Sequence, residues 1–86
     1  MKLKVAVTKS AEKHISKHDI EKREILQMLN HPRFLKKTKE RYVLYGKTDA
    51  GRYLTLVLKR RGEVYFLVTA RESTDDEKSL YRKKTK

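Results

Sequence analysis

RYLTLVLKRRGEVYFLVTAR, residues 52–71, is the stretch that decides the fold. Two apolar runs flank Arg61-Gly62, and each alternates with period two, as a strand with one buried face does. A short break containing glycine suits an antiparallel hairpin. The spacing predicts strands over residues 52–60 and 63–71. In the first, Leu54, Leu56 and Leu58 form an apolar face, and Tyr53, Thr55, Val57 and Lys59 the opposite one. In the second, strict alternation assigns Val64, Phe66, Val68 and Ala70 to the core. Tyr65, Leu67, Thr69 and Arg71 then face the other way. Arg52 stands at a turn exit, on the leucine side by parity.

Working outward, Asp49-Ala50-Gly51 reads as a turn, and residues 40–46 as the strand before it. Together these make a three-stranded meander. Residues 33–39 form a basic connector. Pro32 disfavours helical geometry at His31, so a helix carrying Ile25, Met28 and Leu29 ends there. It begins near Ile20, with Asp19 as the expected cap. An earlier helix, from about Ala11 to His18, follows Ser10 as its cap. Leu3, Val5 and Val7 alternate with polar residues, which predicts a first strand over residues 1–8. Downstream, Thr74 and Glu77 have capping-box spacing and open a last helix that runs into a basic tail. The expected class is α+β: an N-terminal strand, two helices, a three-stranded antiparallel meander and a C-terminal helix, in one domain spanning residues 1–86.

Charge points to partners. Lys and Arg number 23 against 11 Asp and Glu, a net +12 on 86 residues. That favours polyanions: nucleic acid, acidic protein surfaces or anionic lipid. A surface charged only for solubility is the plainer alternative. Cysteine is absent, which excludes disulfides and thiolate metal sites and fits a reducing cytoplasm. No apolar run has the length of a membrane helix, so no membrane partner is expected. His14 and His18 could share a helix face, but no third metal ligand stands near them, and neither metal nor cofactor is expected. A phosphate-binding glycine loop, a nucleophile elbow and an HExxH motif are all missing.

RNA cleavage without metal needs a base for the ribose 2′-hydroxyl, an acid for the departing 5′-oxygen and a cation at phosphorus. Histidine can serve either proton-transfer role near neutral pH, and the chain has three, His14, His18 and His31. Arg41, Arg52 and Arg71 flank the strands and suit the phosphate, because a guanidinium fork binds two oxygens at once. The mixed face of hydroxyls, rings and cations could stack bases and neutralise phosphates, with Lys17, Arg41, Tyr53, Lys59 and Tyr81 as RNA contacts. An ordinary solvated sheet face is the competing reading.

These residues resemble a known pattern. Gly51-Arg52, an apolar strand, Arg61-Gly62, a strand ending Thr69-Ala70-Arg71, and Glu77 four before Tyr81 are similar to BrnT-type toxins of the RelE-like group. Glu40-Arg41-Tyr42, Lys17-His18-Asp19 and Asn30-His31-Pro32 extend the resemblance over most of the chain. It implies a RelE-like fold, a ribosome-independent ribonuclease toxin, and neutralisation by a small DNA-binding antitoxin of ribbon-helix-helix type. It also implies that His18, Arg52 and Arg71 lie at or near the active site. A non-catalytic module binding RNA or an acidic protein is the alternative. The chain departs from the pattern in having no tryptophan, in Asp19 where glycine is usual, and in Thr69 where serine is usual.

Overall fold

A computed structural model describes residues 3–85. The elements run β1 (Lys4–Ala6), α1 (Lys9–Ser16), α2 (Lys22–Met28), β2 (Phe34–Lys37), β3 (Tyr42–Lys47), β4 (Tyr53–Arg61), β5 (Val64–Glu72) and α3 (Asp75–Lys84). The class is α+β: among the described residues, five strands form one mixed sheet in the order β1-β5-β4-β3-β2, with three helices. The meander is β3-β4-β5. To it the structure adds a parallel strand, β1 on β5, and a fifth strand, β2 on β3, inside the predicted basic connector. Residues 1 and 2 of the predicted first strand lie outside the described residues.

The leucine face of β4 is the core. Leu54, Leu56 and Leu58 are fully buried beneath Ala11 and Ile15 of α1 and Ile25 and Met28 of α2. Met28 settles on β3 at Gly46, where an added Cβ would stand 2.7 Å from its terminal methyl carbon.

Strict alternation fails in β5. Val57 pairs with Thr69 but Leu58 pairs with Leu67, so Val68 is an extra residue, a β-bulge. Below the bulge the parity reverses. Leu67 and Tyr65, not Val68 and Phe66, face the core, and Val68 is 40% exposed. Above it Ala70 is buried as expected, and Arg71 pairs with Thr55 on the opposite face.

The helix caps also correct the sequence reading. Thr8, not Ser10, caps α1, accepting from the Ala11 N–H at 3.2 Å. Asp19 does not cap α2. It has φ 58 just after α1, with Asp19 N–H bonded to the Ser16 carbonyl and Ile20 N–H to the Ile15 carbonyl. This is a Schellman ending, with buried Ile15 and Ile20 as its apolar pair. Glu21 precedes α2, and the Glu24 carboxylate accepts from its N–H at 2.9 Å. Thr74 and Glu77 form the expected capping box on α3.

Candidate functional site

The side of the sheet away from α1 and α2 is built in cross-strand rows. Register places Phe34, Tyr45, Thr55 and Arg71 in one row, and Lys36, Val43, Val57 and Thr69 in the next. Lys59 pairs with Phe66 beyond them. Helix α3 covers the first row. Tyr45 and Thr55 are buried there, and the Thr55 and Ser73 hydroxyls meet at 2.8 Å. Beyond α3 the rows are open: Val43, Val57, Phe66 and Thr69 are half-buried, and Lys36, Lys59 and Val68 are exposed. None of these open-row residues is acidic.

At the border between covered and open rows stands an ion pair. Arg71 Nη1 and Nη2 donate to the two carboxylate oxygens of Glu77 at 2.5 and 2.7 Å. Glu77 also accepts from the Thr74 N–H at 2.8 Å. The guanidinium chiefly, with that N–H, lowers the Glu77 carboxyl to about 2, against an opposing effect of burial. It is a carboxylate at any physiological pH. Arg71 is half in solvent while Glu77 is largely covered. Burial, then the Glu77 charge, raises the neighbouring Tyr45 hydroxyl.

The other expected site residues divide between the two sides. Arg52 points toward the helices. Nη1 donates to the Asp19 carbonyl at 2.7 Å and to the Glu24 carboxylate at 3.1 Å, while Nε and Nη2 donate to Glu72 at 3.0 and 2.8 Å. Three parts of the chain thus occupy its fork, and no pair of its donors is left for a phosphate. His18 and Lys17 are exposed in the α1–α2 connector, on the same side as Arg52. The rings of His14 and His18 meet edge-on at 5.7 Å. Among the described residues, no hydrogen bond or ion pair joins His18 to Arg52 or Arg71. The expected trio is therefore not assembled: Arg71 opens on one side of the sheet, His18 and Arg52 on the other.

Tyr81 is corrected too. It is buried, and its hydroxyl donates to the Pro32 carbonyl at 2.7 Å, fastening α3 to the α2–β2 connector rather than offering a ring to RNA. Tyr53 meets Tyr81 edge-on at 5.7 Å, and Lys78 and Arg82 stand near its ring. Arg41 is half-buried beside Glu40, whose carbonyl accepts from its Nη1. Lys59 is exposed on the open rows as expected.

His31, read from the sequence only as a helix terminus, contacts Asp49 at 2.6 Å and ties the α2–β2 connector to the β3–β4 turn. Glu24 and Glu72, the partners of Arg52, carried no sequence signal, because their pairing spans 28 and 20 residues. Among the described residues, no cluster of three or more His, Asp and Glu could hold a metal ion, and no helix is long and apolar enough to cross a membrane. Compared with protein-family models, with curated proteins and with solved structures, the chain has no match in any of the three.

Proposed function

We propose that this chain is a metal-independent endoribonuclease of the RelE-like, BrnT-type toxin class, working on the open sheet face beside α3. The observation that carries the reading is the Arg71–Glu77 fork at the edge of an acid-free, cationic surface. A phosphate has two oxygens for the same guanidinium fork. When it takes Arg71, Glu77 loses the interaction that holds its carboxyl near 2 and becomes a stronger base. Glu77 then takes the 2′-hydroxyl proton and the 2′-oxygen attacks phosphorus. The bond to the 5′-oxygen breaks, and that oxygen takes a proton from water. The products are a 2′,3′-cyclic phosphate and a free 5′-hydroxyl. Lys36 and Lys59 hold flanking phosphates, and Phe66 offers a ring to an unpaired base. On this reading His18 and Arg52 are not catalytic. A small DNA-binding antitoxin and a cytoplasmic setting belong to the same proposal, and rest on the sequence resemblance.

A non-catalytic RNA- or acidic-protein-binding module of the same fold is the second reading, favoured by the separation of His18 from Arg71. One assay divides the two. Purified protein is incubated with labelled RNA in EDTA, alongside Glu77→Gln and Arg71→Lys. Glutamine keeps the capping-box geometry but cannot take the proton. Loss of cleavage with retained RNA binding in Glu77→Gln supports the enzyme. Intact RNA with the wild-type protein, bound with salt-sensitive affinity, supports the module.

A further inference from the structure

On the leucine side, α1 and α2 leave one end of the sheet uncovered. A groove of about 620 Å³ lies there, lined by Leu3, Lys4, Arg33, Leu35, Arg60, Glu63 and Tyr65. Neither helix contributes to its lining. Its volume falls within the range of about 300–1,000 Å³ usual for ligand clefts. The floor is apolar: Leu3, Leu35 and Tyr65 pack on the core from one side and are half exposed on the other. Three cations, Lys4, Arg33 and Arg60, stand against one carboxylate, Glu63. Among the described residues, Arg33 donates to the Leu29 carbonyl and Arg60 to the Gly62 carbonyl, and neither is in an ion pair with a carboxylate.

We propose that this groove binds an acidic amphipathic segment of another protein, with aliphatic side chains on the floor and carboxylates on Arg33 and Arg60. The lining passes from β1 at one edge of the sheet to β2 at the other. Five strands at about 4.8 Å spacing make that roughly 19 Å, the length of about a dozen helical residues. A nucleotide fits less well. The one aromatic ring on the floor, Tyr65, already meets Tyr42 edge-on at 5.0 Å and has Arg60 over it at 5.9 Å. A second copy of this chain would bring its own +12 against the cationic rim. The groove and the Arg71–Glu77 fork lie on opposite faces of the sheet, so the segment and RNA bind together. The inference stands whether or not the chain cleaves RNA.

The test uses the full chain and a synthetic helical peptide with leucine at every third or fourth position and glutamate between. Binding is followed by fluorescence anisotropy and by backbone amide shifts. The expected result is shifts centred on Leu35, Arg60 and Tyr65. Affinity should exceed that of the serine-for-leucine peptide by at least about tenfold. Arg60→Glu should reduce it by a similar factor. Saturating oligouridylate should leave the peptide in place. Equal binding of the two peptides, shifts centred on Val57 and Phe66, or displacement by oligouridylate would each overturn the proposal.

Discussion

Arg52 and Glu72 are joined by two hydrogen bonds, Nε and Nη2 to one carboxylate oxygen at 3.0 and 2.8 Å. The remaining arm of the guanidinium reaches Glu24 and the Asp19 carbonyl. The residue that opens the central hairpin thereby fastens the end of β5 to the start of α2 and the end of α1. Arg71 also touches Glu72, through Nη1 to its carbonyl at 3.2 Å. Two arginines thus grip one residue from opposite faces, one as a structural tie and one at the open surface.

Arg52→Ala is therefore expected to lower folding stability by about 1–3 kcal/mol, read from the urea midpoint at unchanged slope. Arg52→Lys should recover little, since one ammonium cannot span three acceptors. RNA cleavage per folded molecule should stay within about twofold of wild type. A loss of turnover with no loss of stability would return Arg52 to the catalytic group.

At Asp19 a residue with a Cβ occupies the left-handed backbone position that ends α1. Glycine has no steric penalty there. Asp19→Gly is expected to stabilise the fold by about 0.5–1 kcal/mol, and Asp19→Val to destabilise it by more than that. Thermal melts of the two variants check both signs. The resemblance implied glycine at this position, and the backbone angle supplies the reason.

The bulge at Val68 shows where sequence reading stopped. The leucine face, the meander, the glycine turns and the α3 capping box were legible because each is local and periodic. Strand β2 was hidden, because Phe34-Leu35-Lys36-Lys37 is a short edge strand with no alternation to betray it. The reversal in β5 was hidden as well. Val64 to Val68 is apolar at every position, so either parity satisfies a hydrophobicity pattern, and only the pairing with β4 selects one. The candidate site was half legible. Arg71 could be placed on the open face, but its link to Glu77 depends on where α3 docks. Leu67→Ala should accordingly destabilise by about 2–4 kcal/mol, and Val68→Ala by less than about 0.5 kcal/mol. Similar losses from the two would contradict the bulge.

Glu77 gives the fold a pH dependence of determinate sign. Its carboxyl is held at about 2 in the folded chain, below the 4.5 of an unperturbed glutamate. The stabilisation is therefore complete above about 4.5 and is lost as pH falls through the folded value near 2. Half-exposure of Arg71 reduces it to about 1–2 kcal/mol. Glu77→Gln should be less stable than wild type by that amount at neutral pH, and the two should converge as pH falls toward 2. Parallel urea curves from neutral pH to the acid limit check the convergence.

RNA affinity separates the two sides of the sheet most directly. Lys59 stands on the open rows, whereas Lys17 lies in the α1–α2 connector with His18. Each phosphate neutralised on single-stranded RNA releases counterions and contributes about 0.7 to the slope of log affinity against log salt. If RNA lies across Lys36, Val57 and Phe66, Lys59→Ala should reduce that slope by about 0.7 and weaken binding uniformly across sequences. Phe66→Leu should keep the slope and lower affinity, because it removes a stacking surface without removing charge. Lys17→Ala should change neither quantity. Both lysine variants lower net charge equally, so a response to general positive charge alone would make their slopes fall together. A difference between them therefore reports where on the sheet the RNA lies.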